Sequence, residues 1–505
     1  MNAAQNKLLV KGGRVYDHDG NVHQPATADI LIEGDSIAAI GSNLTAEQTA
    51  GAEILDASNH LVVPGMMNAH YHSHDTLCRG LFEESTLEMW LLYTLPLQGN
   101  RSKEEVRLRT LVGALESMRC GVTTVQDMLG LIPLQEDYVD VVLDAYEEIG
   151  ERVVFSPMVF DVPAVAMVRD RDTLPPEVQE MMGTKAGTAT EQIDLLEAQI
   201  KRRPAGGTTH WACGPFAPQR CSLDLLAGCA DFAERHDLGI YTHMYETRGQ
   251  AVIARERYGD YGGSFVGYVA EAGMLNHRFN IAHSVWITRD EIDRMADANA
   301  GVVINHNSNF KLKSGIAPNK DLLESGVRIA LGCDNCSGSD VQNMFQSMKT
   351  FCQVTAISEP ELGPHITHDA VRFATQGSAR SACMDDVIGA LKPGYKADMM
   401  LLDLNDTAYL PFNSAARQLV YTETGRSIDN VIIGGKIVVK DRKVTTIDED
   451  ALRAEVADYM KGFIADHEDI VKARASAVPY MLEAHKRVWD TDVGMNRFME
   501  RAPRK

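Results

Sequence analysis

One pattern repeats eight times along the middle of the chain: a short apolar or β-branched run followed by a longer amphipathic stretch. Residues 104–118 and 223–235 are two such stretches, with apolar residues at helical spacing. Strand followed by helix, repeated in this way, predicts an α/β fold with a (β/α)8 barrel of the TIM type. The eight apolar runs lie near residues 65–70, 122–128, 152–161, 209–215, 238–245, 279–285, 301–306 and 328–334.

Both ends of the chain differ from this pattern, because short β-rich runs there alternate with turns, as in residues 8–62 and 431–439. Such runs are typical of small antiparallel strands. The last part of the chain is predicted to be helical, since Leu452, Val456, Met460 and Phe463 form an apolar stripe. The predicted divisions are a small β-sandwich-like domain from residues 1–63 plus 390–445, the catalytic barrel over 64–389, and a helical extension over 446–505.

Potential metal ligands follow several of the predicted barrel strands. His70 and His72 end the first run, His243 the fifth, His283 the sixth and Asp334 the eighth. A lone His-x-His pair would carry little weight among 16 histidines, but the C-terminal ends of barrel strands converge on one pocket. Residues two apart on a strand share a side, so His70 and His72 can both face the barrel axis. We expect His70, His72, His243 and Asp334 to hold one divalent ion, zinc or ferrous iron.

A hydrolytic site of this kind needs a group that transfers a proton. Asp334 is one candidate, and Glu246, three residues beyond His243, is the other. His283 could orient the attacking hydroxide or polarise the leaving group. The alternatives are a solvated loop acid for Glu246 and an ordinary core histidine for His283.

Other aromatic and imidazole side chains allow two interpretations. Trp90 and Trp286 could line the pocket, although tryptophans more often pack in a core. The sequence assigns no role to His74, His210 and His306.

Composition limits the kinds of binding partner and the cellular compartment that we expect for this protein. A formal net charge of −21 with scattered Lys and Arg disfavours nucleic acid. The polar N-terminus lacks a secretory signal and no apolar stretch is long enough to cross a bilayer, so we expect a cytoplasmic protein without a membrane partner. Nine irregularly spaced cysteines indicate free thiols rather than a disulfide framework.

Several segments together resemble the amidohydrolase superfamily, and within it the aminohydrolases and s-triazine hydrolases related to cytosine deaminase. That group includes guanine deaminase and methylthioadenosine/adenosylhomocysteine deaminase. The resemblance spans residues 8–445. Its segments are PGMMNAHYH at 64–72, RGL at 79–81, GVTT at 121–124 with Asp127, HMYET at 243–247, AHSVW at 282–286, SNFKLKSG at 308–315, GCDN at 332–335 and LKPGYKAD at 391–398.

The resemblance implies the same four metal ligands, with Glu246 as proton shuttle and His283 beside the attacking hydroxide. It further implies hydrolysis at an electrophilic carbon of a small heterocycle, with Glu246 protonating a ring nitrogen and ammonia or an amine leaving. Together with the long helical tail, it is compatible with a homodimer or a larger homo-oligomer.

Three departures from the group limit what is implied about the substrate. Residues 95–98 read Leu-Pro-Leu-Gln, so Gln98 stands where nucleoside deaminases of the group carry a ribose-binding glutamate. Phe216 stands where they carry a purine-contacting histidine, and residues 306–309 are also altered. These changes argue against a nucleoside and make Gln98 and Phe216 candidate substrate contacts.

We therefore expect an aminohydrolase that releases ammonia from an amino-substituted N-heterocycle. The alternative enzyme displaces an alkylamine, halide or thiol from a triazine-like ring, or cleaves an amide, urea or carbamate. A non-catalytic barrel scaffold is the alternative from another class.

Overall fold

A computed structural model describes residues 7–83, 85–99, 101–183, 187–358 and 366–499. Its strands are β1 (Lys7–Val15), β2 (Thr27–Glu33), β3 (Ser36–Gly41), β4 (Glu53–Asp56), β5 (His60–Pro64), β6 (Met66–His72), β7 (Val122–Leu129), β8 (Arg152–Val159), β9 (Thr209–Trp211), β10 (Gly214–Pro215), β11 (Ile240–Met244), β12 (Phe279–His283), β13 (Gly301–Ile304), β14 (Arg328–Leu331), β15 (Asp334–Asn335), β16 (Met399–Asp403), β17 (Ile428–Ile433), β18 (Lys436–Lys440) and β19 (Lys443–Val444).

The α-helices lie between and after these strands. They are α1 (Leu87–Thr94), α2 (Lys103–Arg119), α3 (Glu136–Ile149), α4 (Pro176–Met181), α5 (Ala189–Arg202), α6 (Leu223–His236), α7 (Arg248–Arg257), α8 (Phe265–Glu271), α9 (Arg289–Asp297), α10 (His306–Lys311), α11 (Asn319–Ser325), α12 (Met344–Ser358), α13 (Ile366–Arg372), α14 (Ser378–Ser381), α15 (Ala415–Tyr421), α16 (Glu449–Arg474) and α17 (Val478–Trp489).

Ten parallel strands fill the eight positions of the predicted barrel, in two arcs, because β9 and β10 share the fourth position and β14 and β15 share the eighth. One arc has the order β10-β8-β7-β6-β15, with β9 also on β8, and the other has the order β11-β12-β13-β14. A parallel bridge between Cys213 and Ile240 joins the arcs on one side. On the other side the chain passes from β14 into β15, which pairs with β6. The eight apolar runs are therefore the eight barrel positions, and the predicted fold class is confirmed.

Local sequence explains where the barrel helices begin. The predicted helices at 104–118 and 223–235 are α2 and α6, and the hydroxyls of Ser102 and Ser222 accept hydrogen bonds from the first-turn amides of these helices. The central strands β7 and β8 are buried along their whole length, because helices or side chains cover both faces of a parallel barrel.

Strands from both chain ends share one sheet beside the barrel. Its order is β19-β18-β17-β16-β5-β1-β2-β3, with β4 on β1. The two ends meet where β16 runs antiparallel to β5 and Met399 lies opposite Pro64. The small β unit is thus built from both ends of the chain, whereas the divisions at 63/64, 389/390 and 445/446 stay predictions.

The C-terminal part is helical, as predicted, through α16 and α17. Leu452 and Phe463 of the apolar stripe are buried, and Val456 and Met460 pack beside Phe463 against Leu77 and its neighbours. Helix α16 lies against α1 and α2, and α17 lies against α1 and α7. Among the helices described, none has the length and apolar character needed to span a bilayer.

Candidate metal centre

Four histidines gather inside the barrel at the C-terminal strand ends. His70 and His72 lie on β6, and their ring centroids are 4.7 Å apart. The ring of His243, on β11, lies 4.9 Å from that of His70 and 5.1 Å from that of His72. His283 ends β12, with its ring 5.7 Å from that of His243. All four side chains are buried. The short distances between their rings show that these residues converge, as the sequence predicted.

Asp334 brings a carboxylate to the same point. Its Oδ1 lies 3.3 Å from Nε2 of His72 and 3.7 Å from Nε2 of His70. The hydroxyl of Ser308 donates to the other carboxylate oxygen of Asp334 at 2.6 Å. The backbone of Asp334 has φ +63°, a left-handed conformation in which aspartate is among the more tolerated residues. This turn directs the carboxylate towards the histidines.

Backbone carbonyls fix the orientation of two imidazoles. Nδ1 of His72 lies 2.5 Å from the carbonyl oxygen of Met128, and Nδ1 of His243 lies 2.7 Å from that of Phe216. Because a carbonyl accepts only, each Nδ1 carries a proton, and the neutral form of each ring therefore presents Nε2 as an acceptor. These two Nε2 atoms are nevertheless only 3.1 Å apart.

Electrostatics keeps this group in the form that binds a cation. Burial, with further contributions from the neighbouring imidazoles, lowers the pKa of His70 far below its ordinary range and that of His243 to about 3. Burial alone would raise the pKa of Asp334, but His283, His72 and the Ser308 hydroxyl hold it below its usual value. Neutral imidazoles and a carboxylate are the ligand forms of these residues.

The donor set therefore fits a metal ion. Nε2 of His72 lies 3.1 Å from Nε2 of His243 and 3.3 Å from Oδ1 of Asp334. Both ring nitrogens of His70 also lack a hydrogen-bond partner among the described residues. A cation placed among these atoms would satisfy the facing atoms of His72, His243 and Asp334 together with one ring nitrogen of His70. The side chains close enough to share an ion form three overlapping triads: His70, His243 and His283; His70, His72 and Asp334; and Glu246, His283 and Asp334.

Glu246 lies beside the cluster and not on the solvated surface. Its side chain is buried, and its Oε2 is 3.6 Å from Nε2 of His283. Its other oxygen has no partner in the described parts of the chain. Burial, together with the charges of Asp334 and Glu88, raises the pKa of Glu246 well above its usual range. This shift favours the protonated form of the Glu246 carboxyl.

His283 is held by a partner that sequence reasoning did not identify. Asn309 Oδ1 lies 2.9 Å from Nδ1 of His283, which leaves Nε2 directed at Glu246 and at Asp334, 3.9 Å from Oδ2 of the latter. Gln250, one turn into α7, accepts a hydrogen bond from the Glu246 backbone amide at 2.7 Å. Asn309 lies within the segment 308–315 that carried the resemblance, whereas nothing in the sequence singled out Gln250.

A cavity opens directly onto these groups. Three of the four candidate substrate contacts, Trp90, Gln98 and Phe216, line it, and His74 does so as well. The remaining lining side chains are His72, Leu87, Leu91, Met158, Met167, His243, Glu246, Gln250, His283, Asp334 and Asn335.

Trp286, the fourth candidate substrate contact, does not line this cavity. The backbone turns sharply at His283 and Ser284, where φ is +78° and +53°, and this carries Trp286 outward from the strand end. Its indole N–H donates to the Ser314 carbonyl at 2.8 Å, and its ring packs near Trp489. Trp286 therefore joins the barrel to the C-terminal tail, and its assignment as a substrate contact stays a prediction.

The other unassigned residues also have places in the fold. Nε2 of His306 lies 3.1 Å from Oδ1 of Asn319, and His210 lies beside Arg152 on the barrel wall. All nine cysteines are free thiols, including the Cys333 and Cys336 pair, as predicted.

A parallel barrel with a buried His–Asp cluster at its C-terminal strand ends defines a metal-dependent hydrolase of the barrel type. The chain belongs to the amidohydrolase family, whose family model matches residues 61–438. This confirms the resemblance drawn from the sequence segments.

Relatives match over most of the chain. A 5′-deoxyadenosine deaminase of Methanocaldococcus jannaschii is 31% identical over 428 residues, 84% of this chain and 93% of its own. A 5-methylthioadenosine/S-adenosylhomocysteine deaminase of Pyrococcus furiosus is 29% identical over 448 residues, 88% of this chain and 98% of its own. The zinc complex of atrazine chlorohydrolase TrzN from Arthrobacter aurescens TC1 has a TM-score of 0.78 at 21% identity, over 89% of this chain and 99% of its own, and so shares the fold.

Proposed function

We propose that this protein is a metal-dependent aminohydrolase that removes an amino group from an N-heterocycle by hydrolysis and releases ammonia. The observation that carries the proposal is the crowding of three metal-ligating atoms, Nε2 of His72, Nε2 of His243 and Oδ1 of Asp334, near the buried carboxyl of Glu246. The deaminase names of relatives 29% and 31% identical to this chain support deamination as the reaction.

His70, His72, His243 and Asp334 would hold one divalent ion. Zinc suits three imidazoles and a carboxylate, and zinc is present in the TrzN structure of the same fold. Ferrous iron suits the same ligands. When bound, such an ion supplies Lewis acidity and lowers the pKa of water towards neutrality.

Glu246 and His283 would handle the protons and the nucleophile. Protonated Glu246 can donate to a ring nitrogen, which makes the adjacent ring carbon more electrophilic. The resulting carboxylate can then accept the proton of the hydroxyl added to that carbon and pass it to the departing amine. His283, held through Nδ1 by Asn309, would orient the attacking oxygen from the side of Glu246 and Asp334. Trp90 and Phe216 would stack on the ring, and Gln98 would bind one polar edge.

Ammonia release from a panel of amino-purines, pterins, pyrimidines and triazines tests this proposal. We expect release from at least one member by the zinc-loaded protein. Glu246→Gln should reduce kcat by about 10²–10⁴-fold, the usual contribution of general acid–base catalysis, with unchanged zinc content. Ammonia release by the Glu246→Gln variant at the unmodified rate would remove Glu246 from the reaction.

The second candidate function is displacement of an alkylamine, halide or thiol from a triazine ring. Gln98 favours it, because it lines the cavity and stands where nucleoside deaminases of the group carry a ribose-binding glutamate. The shared fold of an atrazine chlorohydrolase also favours it. Turnover of chlorinated or N-alkylated rings without any ammonia release would select this reaction. A scaffold without catalysis would instead purify without a stoichiometric ion.

We also infer a cytoplasmic enzyme that acts on a small heterocycle as a homodimer or larger homo-oligomer. Nine free cysteines suit a reducing compartment. Exposed apolar side chains on the C-terminal helices, Ile464, Tyr480 and Leu482, favour self-association. Light scattering during size-exclusion chromatography tests the assembly, and a mass of one chain would contradict it.

A further inference from the structure

His74 occupies the wall of the cavity beside the metal cluster. Its ring centroid lies 5.1 Å from that of His72, and its side chain is only 3% exposed. Both of its ring nitrogens lack a hydrogen-bond partner within the described residues. Buried polar atoms in native proteins are almost always paired, so an imidazole left in this state at a cavity wall indicates that a ligand completes it.

The unpaired atoms of His74 are not explained by the metal cluster. The three residue triads close enough to share an ion include His70, His72, His243, His283, Glu246 and Asp334, but not His74. Nor does His72 pair with it, because Nδ1 of His72 is taken by the Met128 carbonyl and Nε2 faces His243 and Asp334. His74 is therefore directed at the substrate space.

Arg109 holds His74 in this position through the main chain. Its buried guanidinium donates from Nη1 to the carbonyl oxygens of His74 at 3.4 Å and Leu97 at 3.3 Å. The segment that carries His74 is thereby tied to the segment that carries Gln98, and both side chains line the same cavity. Arg109 acts as a positioning residue for two hydrogen-bonding groups on one wall.

The lining of the cavity defines the chemical class that these groups can bind. No lysine or arginine lines it in the part of the chain that the structure describes, so a phosphate or carboxylate of a ligand that does not reach the metal ion would be buried without a counter-charge. The neutral hydrogen-bonding groups are His74, Gln98, Gln250 and Asn335. The apolar groups are Leu87, Trp90, Leu91, Met158, Met167 and Phe216.

We propose that His74 contacts the substrate directly and selects an uncharged N-heterocycle by hydrogen-bonding to its polar edge. An imidazole offers one N–H donor and one nitrogen acceptor, which complements the alternating ring nitrogen and exocyclic amino or oxo group of such rings. The inference rests on the proposed function, because it assumes that the ring binds next to the metal cluster.

The test is equilibrium binding by calorimetry to zinc-loaded protein carrying Glu246→Gln, which prevents turnover. The probes are melamine, adenine, guanine, cytosine and pterin, with pterin-6-carboxylate as the charged counterpart of pterin. We expect at least one ring to bind at one per chain. Adding His74→Phe should raise the Kd of that ring by about tenfold or more, because a hydrogen bond is lost and its partner on the ring stays buried. His74→Asn, which keeps a donor and an acceptor, should retain most of the affinity.

A matched control separates loss of contact from damage to the fold. His306→Phe makes the same replacement at a buried histidine that does not line the cavity, and it should leave the Kd and the zinc content unchanged. Three results would overturn the inference: an unchanged Kd in His74→Phe, no binding of any ring, or pterin-6-carboxylate binding as tightly as pterin.

The proposed function can fail separately. Binding that depends on His74, with no ammonia release from any bound ring by the unmodified enzyme, would contradict deamination and leave the role of His74 intact. Ammonia release by the unmodified enzyme, with no effect of His74→Phe on binding, would support deamination and contradict the role of His74.

Discussion

A buried ion pair joins the barrel to the β sheet built from the chain ends, and its removal should be severely destabilising. Nε and Nη2 of Arg152, at the start of β8, donate to the two carboxylate oxygens of Asp398 at 3.0 and 3.1 Å. Asp398 also accepts from the Gly434 amide at 2.7 Å, and Arg152 Nη1 donates to the Gly207 carbonyl at 3.0 Å. Both side chains are nearly inaccessible, at 1% and 2% exposure.

The substitution Asp398→Asn keeps the shape of the side chain and removes the charge. One amide oxygen can still accept a hydrogen bond, but the guanidinium loses its bidentate partner and stays buried. Breaking a buried pair in this way costs about 3–5 kcal/mol, because the remaining charge is not compensated. Replacing both partners together, Arg152→Met with Asp398→Leu, removes the unpaired charge and should recover most of this loss.

Urea unfolding followed by circular dichroism measures the effect as a shift of the transition midpoint at unchanged slope. Asp458→Asn is the matched control, since Asp458 pairs with Lys461 at 79% and 76% exposure, and it should change the free energy of unfolding by less than about 1 kcal/mol. A cost for Asp398→Asn no larger than that for Asp458→Asn would contradict the stabilising role of the pair, and so would a double variant less stable than Asp398→Asn.

Three further predictions concern the site and the pH dependence of stability. Ser308→Ala removes the 2.6 Å hydrogen bond to Asp334 and should weaken zinc binding by about 10–100-fold in a chelator competition; an unchanged affinity would contradict this role. Met158 separates the substrate cavity from a second cavity lined by Leu131 and Phe160, so Met158→Ala should lower KM for rings with bulky N-alkyl groups but not for unsubstituted rings, and an equal effect on both would oppose it. Burial lowers the pKa of His18 to about 3, below about 6.5 in the unfolded chain, so the unfolded state binds the extra proton and stability falls as pH drops from 6.5 towards 3. In His18→Asn the midpoint of urea unfolding should therefore change less with pH over that range than it does in the unmodified protein. The same pH dependence in both proteins would show that His18 does not titrate as expected.

Hydrophobic period and residue type were enough to predict the barrel and the cluster inside it. Eight apolar runs can be recognised because parallel barrel strands are buried on both faces. The chain direction then assigns His70, His72, His243 and Asp334 to the same end of the barrel. Each of these signals is local to one strand and its first loop residues.

The positions of the other side chains around the site could not be predicted, because they depend on backbone geometry that a local sequence pattern does not encode. Trp286 was a candidate for the pocket wall or for core packing, and the sequence did not indicate the two successive positive φ angles at His283 and Ser284 that redirect the chain before it. Gln250 contacts the Glu246 backbone only because α7 begins directly after the strand-end loop. His74 gained a role only when the structure showed its ring nitrogens buried and unpaired at the cavity wall.

The most direct measurement of the metal site is anomalous diffraction at the zinc edge from crystals of the zinc-saturated protein. We expect one zinc per chain, in contact with His70, His72, His243 and Asp334, at the point where their acceptor atoms face one another. A zinc-saturated crystal with no anomalous peak among these four side chains would contradict the metal site and the hydrolytic function that depends on it.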